Sequence, residues 1–154
     1  MPPRPALRLA AVMLALTLTG TLALPGPLGA QDRPVAGPFL AVPPAEALSR
    51  AAGAEVLLVD IRRPEEWRET GVMPEALLLT FETPETFLAA LAPHLDGRPV
   101  ALICRSGNRT AAAAALLAPR LGVPVIDIGG GMLRLMAEGY RPAAPTRARG
   151  CTSC

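Results

Sequence analysis

Four short apolar runs recur along the chain from residue 55 onwards, and Pro, Gly or an acidic residue bounds each of them. They cover residues 55–61, 76–80, 99–104 and 123–128. Apolar runs of this length without polar alternation are typical of strands that are covered on both faces.

The segments around these runs have helix-forming composition, and Pro stands in several of the first turns. Helices are predicted at residues 44–52, 64–70, 83–91, 111–117 and 132–138. Strands that alternate with helices predict an α/β domain with a central, mostly parallel sheet of about five strands, flanked by helices on both faces.

The first thirty residues have a different pattern: a short basic head, a long apolar stretch and then small residues. Arg4 and Arg8 precede residues 9–24, which are almost entirely apolar, and a Pro-Gly-Pro sequence follows. This order is typical of a secretory signal peptide, with cleavage predicted near Ala30. A retained membrane anchor is the alternative, but the apolar run of ~16 residues is shorter than the ~20 that a span needs. We therefore expect residues 1–30 to be removed, which leaves a periplasmic or secreted protein without membrane attachment.

Cleavage at that position divides the remaining chain into three parts. A leader covers residues 31–38, the domain covers 39–142, and a Pro-, Arg- and Gly-rich tail over 143–154 is predicted to be flexible.

Two of the 15 basic residues are lost with the signal, so 13 basic residues remain against 13 acidic ones. A neutral domain gives no indication of nucleic-acid binding. Every basic residue is Arg, which excludes mechanisms that need a lysine, such as Schiff-base formation.

The most informative segment is a seven-residue loop between the third apolar run and the Ala-rich helix. This Cys104 loop consists of Cys104, Arg105, Ser106, Gly107, Asn108, Arg109 and Thr110. Ligands bind at the carboxyl ends of strands in a parallel sheet, and a helix N-terminus presents unpaired N–H groups there. Such surroundings favour the thiolate form of a cysteine, which is the nucleophile. A buried structural cysteine is the alternative, but the two Arg and the Gly beside Cys104 favour a reactive one.

The Cys104 loop resembles the active-site loop of single-domain rhodaneses, the thiosulfate and persulfide sulfurtransferases. Other segments are similar to further signatures of that family: residues 57–62, 64–67, 71–76, 128–130 and 139–142. Val72 stands where the family usually has His, and the usual large aromatic residue between the last two segments is absent. The resemblance covers roughly residues 40–142 and implies a rhodanese-like fold.

The resemblance also implies a role for each residue of the loop. Cys104 would carry sulfane sulfur as a persulfide, and the amides of residues 105–109 would cradle the anionic sulfur. Arg105 would face incoming anions and Arg109 would close the loop. The remaining substrate-binding positions would be Ser106, Gly107, Asn108 and Thr110. Asp60 and Arg62 would support the loop from the neighbouring strand end; a plain structural ion pair is the alternative for these two.

The implied activity is that of a rhodanese-type thiosulfate sulfurtransferase. The Cys104 thiolate would attack the outer sulfur of thiosulfate, sulfite would leave, and the persulfide sulfur would pass to an acceptor such as cyanide or a thiol. No metal or organic cofactor is expected, because sulfur itself is the electrophile. The expected partners are thiosulfate, persulfides, thiol acceptors and a protein that accepts sulfur.

Two other functions are consistent with parts of the pattern. A sulfur-relay module would exchange sulfur with a dedicated protein partner and would turn over poorly in isolation. A Cys-dependent phosphatase or arsenate reductase also uses a Cys loop that ends in Arg before a helix. Those loops have one residue more between Cys and Arg than the four found here, and the tighter ring fits a single sulfur atom better than a tetrahedral phosphate.

The chain ends in a C-x-x-C motif formed by Cys151 and Cys154. In an oxidising compartment these two cysteines are expected to pair, which leaves Cys104 free. The pair is then either an inert disulfide or a redox relay that takes sulfur from the Cys104 persulfide or reduces it. Metal binding is a weaker alternative, because two thiols make half of a zinc site.

Overall fold

The computed structural model describes residues 40–149 and 151–154, so the predicted signal peptide and leader lie outside the described residues. Within these residues, the centre of the fold is a sheet of five parallel strands in the order β1-β5-β4-β2-β3. The strands are β1 (Leu40–Val42), β2 (Leu57–Asp60), β3 (Leu77–Leu78), β4 (Val100–Ile103) and β5 (Val125–Ile128). The predicted parallel sheet of about five strands is confirmed.

Five α-helices lie between or after the strands in the described part of the chain. They are α1 (Pro44–Ala52), α2 (Pro64–Thr70), α3 (Pro84–Leu91), α4 (Asn108–Leu121) and α5 (Gly131–Ala137). The first three begin with Pro, whose missing N–H has no partner in a first turn in any case. The Thr83 hydroxyl caps α3 by accepting a hydrogen bond from the Thr86 N–H at 3.3 Å. None of the described helices has the length and apolar character needed to cross a membrane.

The core is divided in two because successive side chains of a strand point to opposite faces of the sheet. On β4, Ala101 and Ile103 belong to one buried cluster, which also holds Cys151 and apolar side chains of α1, α2 and α5. Val100 and Cys104 belong to the other cluster, together with apolar side chains of α3 and α4. We call these sides the Cys151 face and the Cys104 face. Helices cover both faces, as predicted.

Two elements differ from the prediction. β1 is not among the predicted strands, because three residues followed by two prolines carry too little pattern; it pairs with β5 alone at the sheet edge. Helix α4 begins at Asn108, three residues before the predicted start, because Gly107 turns the chain into the helix with φ +90°.

The C-terminal segment, predicted to be a flexible tail, is held against the domain at two points. Ala143 forms an antiparallel bridge with Val72, with N–H to carbonyl distances of 2.7 and 2.8 Å. Gly71 permits this approach, because a Cβ at that position would lie 2.7 Å from the Cβ of Pro142. Farther on, the side chain of Cys151 is fully buried on the Cys151 face. A flexible tail was expected from composition, which does not show these contacts.

Candidate active site

The Cys104 loop lies at the carboxyl end of β4, where the sheet meets the first turn of α4. Strand β4 stands between β5 and β2, so the loop lies over the middle of the sheet and not over an edge. Gly107 has a left-handed backbone, and a Cβ at this position would lie 2.6 Å from the Gly130 nitrogen. Glycine is therefore required at position 107 both by the turn and by the close approach of residues 129–130.

The sulfur of Cys104 is enclosed by its own loop. The residue is 1% exposed, and its thiol is free of the disulfide formed by the other two cysteines. The Gly107 N–H donates a hydrogen bond to Sγ over 3.2 Å, and the Thr110 hydroxyl lies 3.7 Å from the same atom. Of the amides at 105–109, that of Gly107 is the one that reaches the sulfur. An N–H directed at sulfur favours negative charge on that atom.

Thr110 fastens the loop to the first turn of α4. Its side chain is fully buried, and its hydroxyl donates to the Gly107 carbonyl at 2.8 Å. The same oxygen is the neighbour of Cys104 Sγ described above, so one hydroxyl lies beside both the Gly107 turn and the Cys104 sulfur. The sequence-predicted pair of Cys104 and Thr110 is thus brought together on the Cys104 face.

Helix α5 supports the loop through its backbone. The N–H of Met132 donates to the Cys104 carbonyl at 2.9 Å, and the N–H of Leu133 donates to the Arg105 carbonyl at 3.0 Å. A Cβ at Gly131 would collide with the Cys104 carbonyl oxygen, so the helix can approach only because this residue is glycine. In the sequence, the three consecutive glycines at 129–131 indicate the end of a strand and resemble a family signature. Their contact with the Cys104 loop is visible only in the three-dimensional structure.

Arg109 closes the loop by binding a residue that the sequence analysis did not single out. Its guanidinium donates to both carboxylate oxygens of Glu66, at 2.8 and 3.2 Å. Glu66 Oε2 also accepts the Arg63 N–H at 3.0 Å, so the carboxylate ties α4 to the first turn of α2. The signal that could have identified Glu66 is its place at the third position of α2, where a Glu returns to the helix start.

The electrostatics of this pair favour its charged form. Burial opposes ionisation of Glu66, but the hydrogen bonds from Arg109 and Arg63, with the charges of Arg109 and Arg62, outweigh burial and lower its pKa. The Glu66 hydrogen bond raises the pKa of Arg109 despite partial burial, and the charges of Glu66, Cys104 and Asp60 add to this. The guanidinium of Arg109 is therefore a fixed positive charge within the Cys104 loop.

Asp60 and Arg62 form a fully buried ion pair, with 2.7 Å between Arg62 Nη2 and Asp60 Oδ2. Arg62 also donates to the Gly71 carbonyl at 2.7 Å, the Thr70 hydroxyl at 2.5 Å and the Glu66 carbonyl at 3.2 Å. Apart from the bonds between the two residues, the side-chain hydrogen bonds of the pair within the described residues go to α2 or to Gly71, which follows α2. Their support of the loop is therefore indirect: they fix α2, and α2 presents Glu66 to Arg109.

The remaining loop residues form the outer rim. Arg105, Ser106 and Asn108 are exposed, and within the described residues their side chains have no hydrogen-bond partner. Arg105 follows Cys104 directly, and its side chain is exposed to solvent. The loop thus combines a buried free thiol, one N–H bonded to its sulfur, a fixed Arg109 and an exposed Arg105.

Cys151 and Cys154 form a disulfide, and their Cα atoms are 5.5 Å apart. Cys151 packs with apolar side chains on the Cys151 face, whereas Cys104 packs on the opposite face of the sheet. The structure therefore places the buried cysteine of this pair on the opposite side of the sheet from Cys104, while Cys154 is exposed.

The chain belongs to the rhodanese family. A family model for the rhodanese-like domain matches residues 43–138, which confirms the relationship predicted from the sequence signatures. No curated protein matches the chain by sequence.

Solved structures place the fold in the same class. A rhodanese-related protein from Thermoplasma volcanium is 24% identical with a TM-score of 0.56, covering 70% of this chain and 100% of its own. The polysulfide-sulfur transferase homodimer from Wolinella succinogenes is 21% identical with a TM-score of 0.57, covering 70% and 80%. A Rhodopseudomonas palustris protein of unknown function, called a possible tyrosine phosphatase, is 23% identical with a TM-score of 0.54, covering 77% and 98%. At these identities the similarity concerns the rhodanese-like fold alone.

Proposed function

We propose that this protein is a sulfurtransferase that moves sulfane sulfur from thiosulfate or a persulfide to a thiophilic acceptor through a persulfide on Cys104. The observation that carries the proposal is the free Cys104 thiol at the carboxyl end of β4, with the Gly107 N–H directed at its Sγ over 3.2 Å. A sulfur held there can accept negative charge without a metal, because the donor is already in place before the reaction.

The proposed reaction has two steps. The Cys104 thiolate attacks the outer sulfur of thiosulfate, an S–S bond forms at Cys104, and the S–S bond of thiosulfate breaks with its electron pair leaving on sulfite. An acceptor nucleophile, such as cyanide or a thiolate, then attacks the outer sulfur of the persulfide, and Cys104 leaves as a thiolate. The exposed Arg105 is placed to attract the thiosulfate dianion, and the fixed charge of Arg109 favours negative charge in the loop.

Sulfur transfer fits the site better than phosphate transfer. A phosphate would need the forked donors of the loop-closing Arg, but both terminal nitrogens of Arg109 bind Glu66. Only four residues separate Cys104 from Arg109, and they enclose a sulfur that is 1% exposed. The fold likeness to a protein called a possible phosphatase does not outweigh these features.

A relay module is the second candidate, and one feature of α5 favours it. Leu133, whose N–H binds the Arg105 carbonyl, is 44% exposed, and Met136 one turn farther on is 39% exposed. Apolar side chains beside the loop would suit contact with a protein that supplies or accepts sulfur. Steady-state turnover with thiosulfate and cyanide separates the candidates, because a relay would form the persulfide and turn it over poorly.

The central experiment is intact mass spectrometry of the oxidised protein after incubation with thiosulfate. We expect a gain of one sulfur atom that cyanide removes. Cys104→Ser should gain nothing, whereas the double variant Cys151→Ser/Cys154→Ser should gain sulfur as the wild type does. Sulfur on Cys104→Ser, or none on the wild type with thiosulfate or with a low-molecular-weight persulfide, would contradict the proposal.

We also propose that the protein is exported and acts in the periplasm on small sulfur anions and thiols, as the basic head and apolar stretch of residues 1–30 indicate. The protein recovered from a periplasmic fraction should have the mass of a chain that begins at Gln31. Retention of the full chain in the membrane fraction would contradict export with cleavage.

A further inference from the structure

The only polar residue of β5 is Asp127, and its side chain lies on the Cys104 face. Its neighbours along the strand, Ile126 and Ile128, pack on the Cys151 face, and Val125 packs on the Cys104 face. Alternation along the strand therefore directs Asp127 to the same side as Cys104. Asp127 is paired in register with Leu102, two residues before Cys104 on the adjacent strand.

This carboxyl group is buried without an ion-pair partner. Asp127 is 2% exposed, and its Oδ1 has no hydrogen-bond partner among the described residues. Burial raises the pKa of Asp127, and the neighbouring Thr110 hydroxyl lowers it in part. A carboxyl group that is buried and unpaired costs free energy, so a role beyond packing is expected of it.

Within residues 40–149 and 151–154, no basic side chain forms an ion pair with Asp127. The elements packed against β5 are β1, β4 and α4, and neither β1 nor β4 carries an ionisable side chain. Helix α4 contributes Arg109 and Arg120, but Arg109 binds Glu66 and Arg120 binds Glu85. The loop at the end of β4 contributes Cys104 and the exposed Arg105.

Thr110 connects the two groups. Its hydroxyl lies 3.7 Å from Cys104 Sγ. The same hydroxyl lowers the pKa of Asp127 against the effect of burial, and the Asp127 side chain lies on this face of the sheet. The hydroxyl proton is already donated to the Gly107 carbonyl at 2.8 Å. An ionised Asp127 and an ionised Cys104 would thus be two negative charges near one hydroxyl, whose single proton the two groups share with the Gly107 carbonyl.

We propose that Asp127 and Cys104 form a coupled pair in which negative charge on one group opposes negative charge on the other, so that Asp127 sets the pH range in which the Cys104 sulfur becomes charged. When the Cys104 S–H bond breaks, both electrons stay on sulfur and the proton leaves to solvent, which favours uptake of a proton from solvent by the carboxylate of Asp127. The pair then keeps a single negative charge, which a buried site tolerates far better than two. The consequence for persulfide chemistry rests on the proposed function, but the coupling itself does not.

The test is the far-ultraviolet absorbance of the thiolate as a function of pH in the oxidised protein, where Cys104 is the free thiol. Subtraction of Cys104→Ser removes the contribution of Tyr140. Asp127→Asn keeps the size of the side chain and removes its charge. At a pH where Cys104 of the wild type is mostly thiol, we expect the Asp127→Asn protein to contain about tenfold more thiolate. At high pH, the thiolate content of the two proteins should become equal. Asp96→Asn, which removes an exposed carboxylate paired with Arg98, should match the wild type.

An unchanged titration in Asp127→Asn, less thiolate, or a difference that persists at high pH would overturn the coupling. Should Asp127→Asn fail to fold, carboxyl ¹³C NMR decides the matter. The Asp127 signal of the wild type should show a second step at the pH where the thiolate appears, and Cys104→Ser should lack that step. Its presence in both proteins, or its absence in both, would overturn the inference.

Sulfur loading from thiosulfate separates this inference from the proposed function. Where both hold, Asp127→Asn loads faster than the wild type at the lower pH, in proportion to its thiolate. A shifted thiolate titration with no sulfur loading in any variant would leave the coupling intact and reject the transferase. Sulfur loading of Cys104 without a shifted thiolate titration in Asp127→Asn would reject the coupling and leave the proposed transferase intact.

Discussion

Two cysteines in this protein are equally buried and have opposite surroundings. Cys104 is 1% exposed and Cys151 is 0% exposed, so burial does not distinguish them. Cys104 stands at a strand end, where an N–H donates to its sulfur and a hydroxyl lies nearby. Cys151 lies among apolar side chains and is covalently bound to Cys154. The comparison teaches that two equally buried cysteines can differ in the hydrogen-bond donors around their sulfur atoms, and that such donors favour a thiolate at Cys104 alone.

The largest expected effect is on the reactive side of this comparison. Cys104→Ser should abolish turnover with thiosulfate and cyanide, because the hydroxyl of serine is not ionised at neutral pH and does not form a persulfide. The free energy of unfolding should change by only about 1 kcal/mol, since one buried small polar group replaces another. Turnover assays and urea unfolding measure the two quantities. Residual turnover above the background would end the assignment of the nucleophile.

The next largest effect concerns the glycine that shapes the loop. Gly107→Ala should lower the rate of sulfur loading at least tenfold and destabilise the protein by about 1–3 kcal/mol, because its Cβ would meet the Gly130 nitrogen at 2.6 Å. Gly97→Ala is the matched control: Gly97 has φ +91°, close to that of Gly107, but a Cβ there would have no neighbour within 4 Å. Equal losses in both variants would mean that backbone strain, and not the close approach, is responsible.

The structural cysteines should show the opposite balance. Cys151→Ser/Cys154→Ser should lower the free energy of unfolding by about 2 kcal/mol, because a short cross-link that restricts the unfolded chain is lost. Sulfur loading of Cys104 and turnover with cyanide should not change. Thermal unfolding with and without reductant checks the first part, since reductant should reduce the stability of the wild type alone. Slower turnover with thiol acceptors but not with cyanide would instead support a redox relay in which the Cys151–Cys154 pair takes sulfur from Cys104.

The smallest effect is expected at the ion pair that closes the loop. Glu66→Gln should raise the KM for thiosulfate a few-fold and cost about 1 kcal/mol of stability, because Arg109 loses its charged anchor. Glu65→Gln, an exposed neighbour in α2, is the control and should behave as the wild type.

The same pair predicts a pH dependence with a definite sign. The pKa of Glu66 is lowered from 4.5 in the folded protein, so its contribution to stability is complete above 4.5 and is lost as the pH falls through the folded value. The stability difference between wild type and Glu66→Gln should therefore disappear in acid. A difference that is constant from neutral pH down to acid would exclude the ion pair as its cause.

The site was predictable to the extent that it is local. The order Cys104, Gly107, Arg109 before an Ala-rich helix is continuous in sequence, and so is the chemistry of a thiol at a helix start. Glu66 and Asp127 were not singled out, because Glu66 is 43 residues from Arg109 and Asp127 reads as one acid within an apolar strand. Nothing local shows that Glu66 binds Arg109 or that Asp127 lies on the same face of the sheet as Cys104.

The amino-acid sequence by itself determined the alternation of strands and helices, the parallel sheet and the loop that joins Cys104 to the Ala-rich helix, because apolar periodicity and glycine-bounded turns are local properties. Tertiary structure alone decided which face of the sheet each cysteine occupies and which carboxylate holds Arg109. It also decided that the C-terminal segment is packed against the domain through Val72 and Cys151. These are contacts between distant residues, and they depend on the register and twist of a sheet whose strands must first assemble.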